Sequence, residues 1–149
     1  MTVLSDLSDL SRVFLFVLLT IISLYTVIVL VAQIGCLTGR PFANPDGTKD
    51  DWREQRLFYG IAWADSLIAC PLSFLSVVLV FLDPQRGFFL LGMVSFWFIW
   101  ANVMTTATSL RFEAPKITLR WMVVFPLGAL IGLGALAWIL FHFDLIFGV

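Results

Sequence analysis

Residues 57–82 read LFYGIAWADSLIACPLSFLSVVLVFL, and a single carboxylate, Asp65, stands among 26 residues that are otherwise apolar or neutral. A run of this length fits a transmembrane helix, because the hydrocarbon core of a bilayer takes roughly 20 apolar residues. Three more runs of the same kind cover residues 13–35, 87–110 and 119–143. The whole chain has 149 residues, of which 60% are hydrophobic and 13% charged. Its mean hydropathy is +0.99. Only short loops and tails remain between the runs, so residues 1–149 read as one membrane domain. The expected fold is all-α, an antiparallel four-transmembrane-helix bundle, since short links place successive helices side by side. The lipid bilayer is then the first partner.

Charge placement predicts an orientation. Seven of the nine basic residues (Arg40, Lys49, Arg53, Arg56, Arg111, Lys116 and Arg120) flank the first and third loops, leaving Arg12 and Arg86 at the opposite end. The excess of Lys and Arg on cytoplasmic loops places loops 36–56 and 111–118 in the cytoplasm and both termini outside. The first run exceeds the roughly 7–15 residues of a signal-peptide core and follows an acidic rather than basic stretch, so it reads as a permanent span. Cys36 and Cys70 fall at different depths and read as reduced thiols. No paired histidines, CxxC or HExxH occur, so no metal site is expected, and the residues identify no cofactor. The basic residues are few and mixed with acids, which excludes a nucleic-acid surface.

The connections carry local signals. LSDLSDLS at residues 4–11 predicts a short interfacial helix capped by Ser5 or Ser8. Asn44-Pro45-Asp46-Gly47 is a turn sequence. Thr48 followed by Asp51 resembles a capping box and predicts that the second helix begins near Lys49, before the membrane. Asp83-Pro84-Gln85-Arg86 reads as a tight turn. Pro126 predicts a kink in the fourth helix. Gly128, Gly132 and Ala135 share one face of that helix. Small faces are contact surfaces in lipid, here expected to serve packing or to join copies of the chain into a homo-oligomer.

Asp65 is the main functional signal. At 1.5 Å per residue it lies about 12 Å past the start of its span. Counted from their own ends, Asn102 and Thr26 reach a similar depth, as does Pro126, whose ring leaves the Met122 carbonyl without its usual donor. A charged Asp at mid-bilayer costs at least about 2.5 kcal/mol and is a functional candidate by default. The cost falls if Asp65 is protonated, bonded to Asn102 or a hydroxyl, or met by Arg111 or Arg120. Ser95, Asn102, Thr106 and Ser109 stripe one face of the third helix; Ser23, Thr26 and Gln33 stripe the first.

Three readings follow. In the first, a cytoplasm-facing pocket takes a small amphipathic ligand or substrate, anionic or neutral. Arg53, Arg56, Glu54, Trp63, Asn102, Thr106, Arg111 and Arg120 bind it, with Trp97 and Trp100 as walls, and Asp65 and Tyr59 carry any proton transfer. In the second, the chain is a non-catalytic accessory or structural subunit of a membrane complex. In the third, the polar layer conducts protons or ions, against which stands the nearly apolar opposite half. In length, span count and arginines at the cytoplasmic end, the chain resembles the small four-helix membrane enzymes of eicosanoid and glutathione metabolism. That likeness is architectural and implies a ligand held from the cytoplasmic side.

Overall fold

The computed structural model describes residues 3–40, 42–43, 49–50, 56–110 and 119–148, with side chains from 3–40, 59–107, 110 and 123–148. It is an all-α bundle. A short α1 (Val3–Asp6) leads into α2 (Asp9–Thr38). A two-residue antiparallel pairing follows, β1 (Phe42–Ala43) with β2 (Lys49–Asp50). The second span is α3 (Arg56–Ala64), a π-helical turn (Asp65–Ala69) and α4 (Cys70–Leu82). Then come α5 (Pro84–Ser109), α6 (Leu119–Phe141) and α7 (Phe143–Phe147). Four of these segments, Asp9–Thr38, Tyr59–Leu82, Pro84–Ala107 and Val123–Phe141, are long and apolar enough to cross a membrane.

The interior is inverted relative to a water-soluble bundle. Val13, Phe14, Val17, Ile21, Leu24 and many other large apolar side chains face outward. Thr26, Asp65, Ser73, Ser76, Ser95, Asn102 and Thr105 are buried. Only lipid makes an outer surface of this kind favourable, and lipid-embedded polar groups must find partners inside. The chain is an integral membrane protein of the multi-pass type.

Local chemistry sets the helix ends. Ser8, not Ser5, is the N-cap, and it caps α2: the Ser11 amide donates to its Oγ at 3.2 Å. Gly39, at φ 69°, closes α2 with a left-handed residue, and the Gly39 and Arg40 amides donate to the carbonyls of Cys36 and Gly35. Such caps favour glycine because a side chain is disfavoured there. Asp83 alone separates α4 from α5. Its carboxylate accepts from the Arg86 amide at 3.4 Å and pairs with the Arg86 guanidinium at 3.2 Å. Pro84 fills the first helical position, where its missing N–H costs nothing. The hairpin closes tightly because Gly87 has no side chain; a Cβ there would run into the backbone of Leu79 and Val80. One expectation changes: Lys49 and Asp50 are extended rather than helical, and the described part of α3 begins at Arg56. The Asn44-Pro45-Asp46-Gly47 turn lies outside the described residues.

Successive helices are neighbours, and α2 returns to α6 to close the ring. α5 packs along both α4 and α6. The glycine face of α6 is consumed here. A Cβ on Gly128 would strike the Tyr25 hydroxyl and the Asn102 amide, and one on Gly132 would meet the Ser95 carbonyl oxygen at 2.6 Å. Ala135 is fully buried. Of the two uses expected for Gly128, Gly132 and Ala135, the structure contains the packing one: the face lies against the chain's own helices. Pro126 sits within the continuous helix α6 and is exposed.

The two ends of the bundle differ. At the terminal end, Leu7, Phe88, Trp138 and Ile146 are buried together in the apolar core. Arg12 donates through Nε to the Leu4 carbonyl at 3.1 Å and through a terminal nitrogen to that of Leu7 at 3.2 Å, which ties α1 down. His142 stacks on Trp138 with ring centroids 4.2 Å apart and is 3.2 Å from the Ser11 hydroxyl. At the loop end, α3 lies against α2 but makes little contact with α5.

Candidate functional site: a buried carboxylate in the membrane interior

The second span carries its own irregularity. Pro71 has no N–H, and its ring would press on the carbonyl four residues back, which an ordinary helix cannot accommodate. The chain widens into a π-turn just before it, and the Cys70 amide donates to the carbonyl of Asp65. Single π-turns within α-helices recur at functional sites. This one begins at Asp65.

The Asp65 carboxylate is buried, with 6% of the residue exposed. It accepts two hydrogen bonds, from Gln33 Nε2 to Oδ2 at 2.7 Å and from Trp97 Nε1 to Oδ1 at 3.2 Å. Three spans thus meet at one side chain. An ionised carboxylate offers about four acceptor positions, so two protein donors leave others open. Asp65 lines a cavity of about 60 Å³ together with Tyr25, Gln33, Cys70, Trp97, Asn102 and Thr105. A water needs roughly 10–15 Å³ of such volume. The cavity therefore has room for a few waters or a small polar head, not for a whole amphiphile.

A second polar node lies beside the first. The Tyr25 hydroxyl donates to Asn102 Oδ1 at 2.8 Å, with the Val124 carbonyl 3.2 Å away. The Asn102 amide nitrogen donates to the Phe98 carbonyl. Tyr25 also packs edge-on against Phe98, with centroids 5.6 Å apart. A third contact joins Thr26 and Ser73, whose hydroxyls are 2.8 Å apart. Cys36 and Cys70 are both buried and are not joined in a disulfide.

The predicted site residues separate into three groups. Asp65, Asn102 and Trp97 line one cavity. Asn102 bonds Tyr25, however, and the carboxylate is held by Gln33 and Trp97. Tyr59, Trp63 and Thr106 are not in the cavity lining. Tyr59 and Trp63 are outward-facing and meet edge to face, with centroids 6.5 Å apart. Thr106 bonds the Asn102 carbonyl, and the cavity uses its neighbour Thr105. Trp100 belongs to an adjoining cleft rather than to the cavity. Arg53, Glu54 and Arg111 lie outside the described residues, and Arg56 and Arg120 are described only as helical backbone. Sequence reasoning missed Tyr25, Ser73 and Pro71. The proline was a readable signal, since it sits six residues past the carboxylate in an otherwise helical run.

Comparison with protein-family models, with curated proteins and with solved structures gives no match. The site defines a class by its geometry alone: a multi-pass helical membrane protein with a hydrogen-bonded carboxylate facing an interior cavity.

Proposed function

We propose that the chain is a membrane-embedded binding protein whose Asp65 cavity receives the polar head of a small amphipathic molecule. One observation carries this reading: the carboxylate is oriented by two N–H donors, fewer than its oxygens can accept, and it lines an open space. A carboxylate that served only to join helices would be satisfied by those helices. Among the described residues, the only side chain in the cavity lining that commonly carries charge is Asp65. The head it suits is therefore a hydrogen-bond donor, an alcohol or amine, in place of the anion that the arginines of the loops first indicated.

Native mass spectrometry of the protein released from nanodiscs tests this. A stoichiometric small molecule is expected on the wild type and absent from Asp65→Asn. That variant keeps the fold, because the Gln33 amide can turn and offer its oxygen to the new NH₂ group. Wild type released bare, or a ligand retained in Asp65→Asn, overturns the reading.

The Tyr25–Asn102 and Thr26–Ser73 bonds favour a second reading, a structural subunit in which the polar interior only locks the helices. Wild type that carries no small molecule and arrives with other subunits supports it. Conduction is disfavoured by the apolar plug of Leu7, Phe88, Trp138 and Ile146. In the proposed orientation loops 36–56 and 111–118 face the cytoplasm. A cysteine at Gly47 is then labelled by an impermeant reagent only from that side; labelling from outside reverses the orientation.

A further inference from the structure

A cavity of about 60 Å³ holds a head but no tail. Immediately beside it lies a second space of about 290 Å³, lined by Gly60, Ile61, Ala64, Trp97, Trp100, Ala101 and Met104. These residues come from α3 and α5, the two segments that separate at the loop end. Trp100 is about half exposed and Gly60 is exposed, so the cleft opens sideways. Residues 59–64 of α3 and this part of α5 lie within membrane-spanning segments. The opening therefore faces lipid chains.

The cleft and the cavity share Ile61, Trp97 and Ala101. Trp97 is the divider. Its indole N–H reaches inward to Asp65 at 3.2 Å, the long end of the hydrogen-bond range. Its ring stands against Trp100, with centroids 5.5 Å apart. Together the two spaces reach the lower end of the roughly 300–1,000 Å³ typical of small-molecule sites. Gly60 adds an independent observation. No glycine-only backbone angle requires it, and a Cβ there would meet nothing within 4 Å. What its missing side chain leaves is space in the cleft.

We propose that this cleft is the tail-binding half of the Asp65 site, and that it admits from the bilayer a single-chain amphiphile with a hydrogen-bond-donor head. The proposal rests on the head-group reading of Asp65 given above. The head enters past Trp97 and takes an acceptor position that the Gln33 and Trp97 N–H groups leave open, so the carboxylate keeps both of its protein donors. The alkyl chain stays in the cleft between α3 and α5. An ionised fatty-acid head is excluded because it brings no hydrogen-bond donor to the Asp65 oxygens, and a two-chain lipid by a cleft volume of about 290 Å³.

The test uses the full-length protein in phosphatidylcholine nanodiscs and hexadecylamine bearing a mid-chain diazirine. Saturable photolabelling is expected at Gly60, Ala64, Trp100 or Met104. Hexadecylamine and hexadecanol should compete, and hexadecanoate should not. Gly60→Leu should lower labelling at least tenfold while leaving the thermal midpoint unchanged or higher. Labelling spread over other lipid-facing positions such as Phe89 and Met93, or labelling that Gly60→Leu leaves intact, overturns the cleft. An Asp65-dependent ligand in the native mass spectrum keeps the head-group reading alive in that case. Cleft labelling that Gly60→Leu abolishes but Asp65→Asn leaves untouched separates the cleft from Asp65 and overturns the two-part site.

Discussion

The terminal end and the loop end of this bundle are built to opposite rules. At the terminal end one residue joins α4 to α5, Gly87 lets their backbones touch, and Leu7, Phe88, Trp138 and Ile146 fill the centre. At the loop end α3 and α5 part, a π-turn breaks helix regularity, and a carboxylate takes the place of an apolar side chain. The difference teaches where the bundle relies on close packing and where it buries polar groups instead. Close packing is the main attraction available to helices in lipid, and the terminal end uses it fully. The loop end gives up contacts and keeps polar groups, which is the pattern of regions that open and bind.

The same substitution at three glycines breaks this comparison most directly. Gly87→Ala carries the largest expected cost. The new Cβ meets the backbone of Val80 and Leu79, which cannot rotate aside. Overpacking costs typically 1–3 kcal/mol, and with backbone as the obstacle the loss should be about 3 kcal/mol. Reversible unfolding in mixed micelles measures it. A loss below about 1 kcal/mol would show that the hairpin does not anchor the fold.

Gly128→Ala should cost about 2 kcal/mol, because the Cβ meets side-chain atoms of Tyr25 and Asn102 that can yield. The clash is with the Tyr25 hydroxyl itself, so Tyr25→Phe should recover part of the loss. The two changes should couple in a double-mutant cycle by about 0.5 kcal/mol or more. Additive effects would mean that Gly128 does not make room for the Tyr25–Asn102 bond.

Thr26→Val tests the polar interior away from the cavity. It removes the Thr26–Ser73 contact at nearly constant volume. Interhelical hydrogen bonds in membranes average about 0.6 kcal/mol, with a maximum near 1.7, so the expected loss is about 0.6 kcal/mol. Ligand retention in the native mass spectrum should not change. A lost ligand would join this contact to the Asp65 site.

How far these features were legible in the sequence depends on dimension. Hydropathy and helix length act along the chain, and they place the four spans and the buried Asp65, Thr26 and Asn102. Depth alone does not choose partners. Counted along the sequence, Thr26 lies level with Asp65, yet α2 runs on to Thr38, and Thr26 pairs instead with Ser73, eight residues further along the second span. Gln33, nearer the loop end, meets the carboxylate. Angle matters as much: Phe98, Asn102 and Thr105 face the cavity, so Thr106 falls one position off the face. Tyr25 was overlooked because its ring reads as one more apolar residue, although its hydroxyl must find a partner inside. The occupied glycine face could not be read, since a small stripe looks the same whether its complement is a neighbouring helix or another chain.

Gly60→Ala is the smallest effect and the one with reversed sign. Glycine within a helix is less stable than alanine by roughly 0.5–1 kcal/mol. The added methyl at Gly60 meets nothing, unlike that at Gly87 or Gly128. The variant should therefore be more stable by about 0.5 kcal/mol in the same unfolding assay. It should also hold the alkylamine probe less tightly, because a methyl group projects into the cleft. A fold that gains stability while binding weakens is not expected of a glycine kept for packing. It follows if the residue is small so that a chain can lie beside it. Stability that falls on Gly60→Ala would mean that the loop end is packed as closely as the terminal end, and the contrast between the two ends would fail.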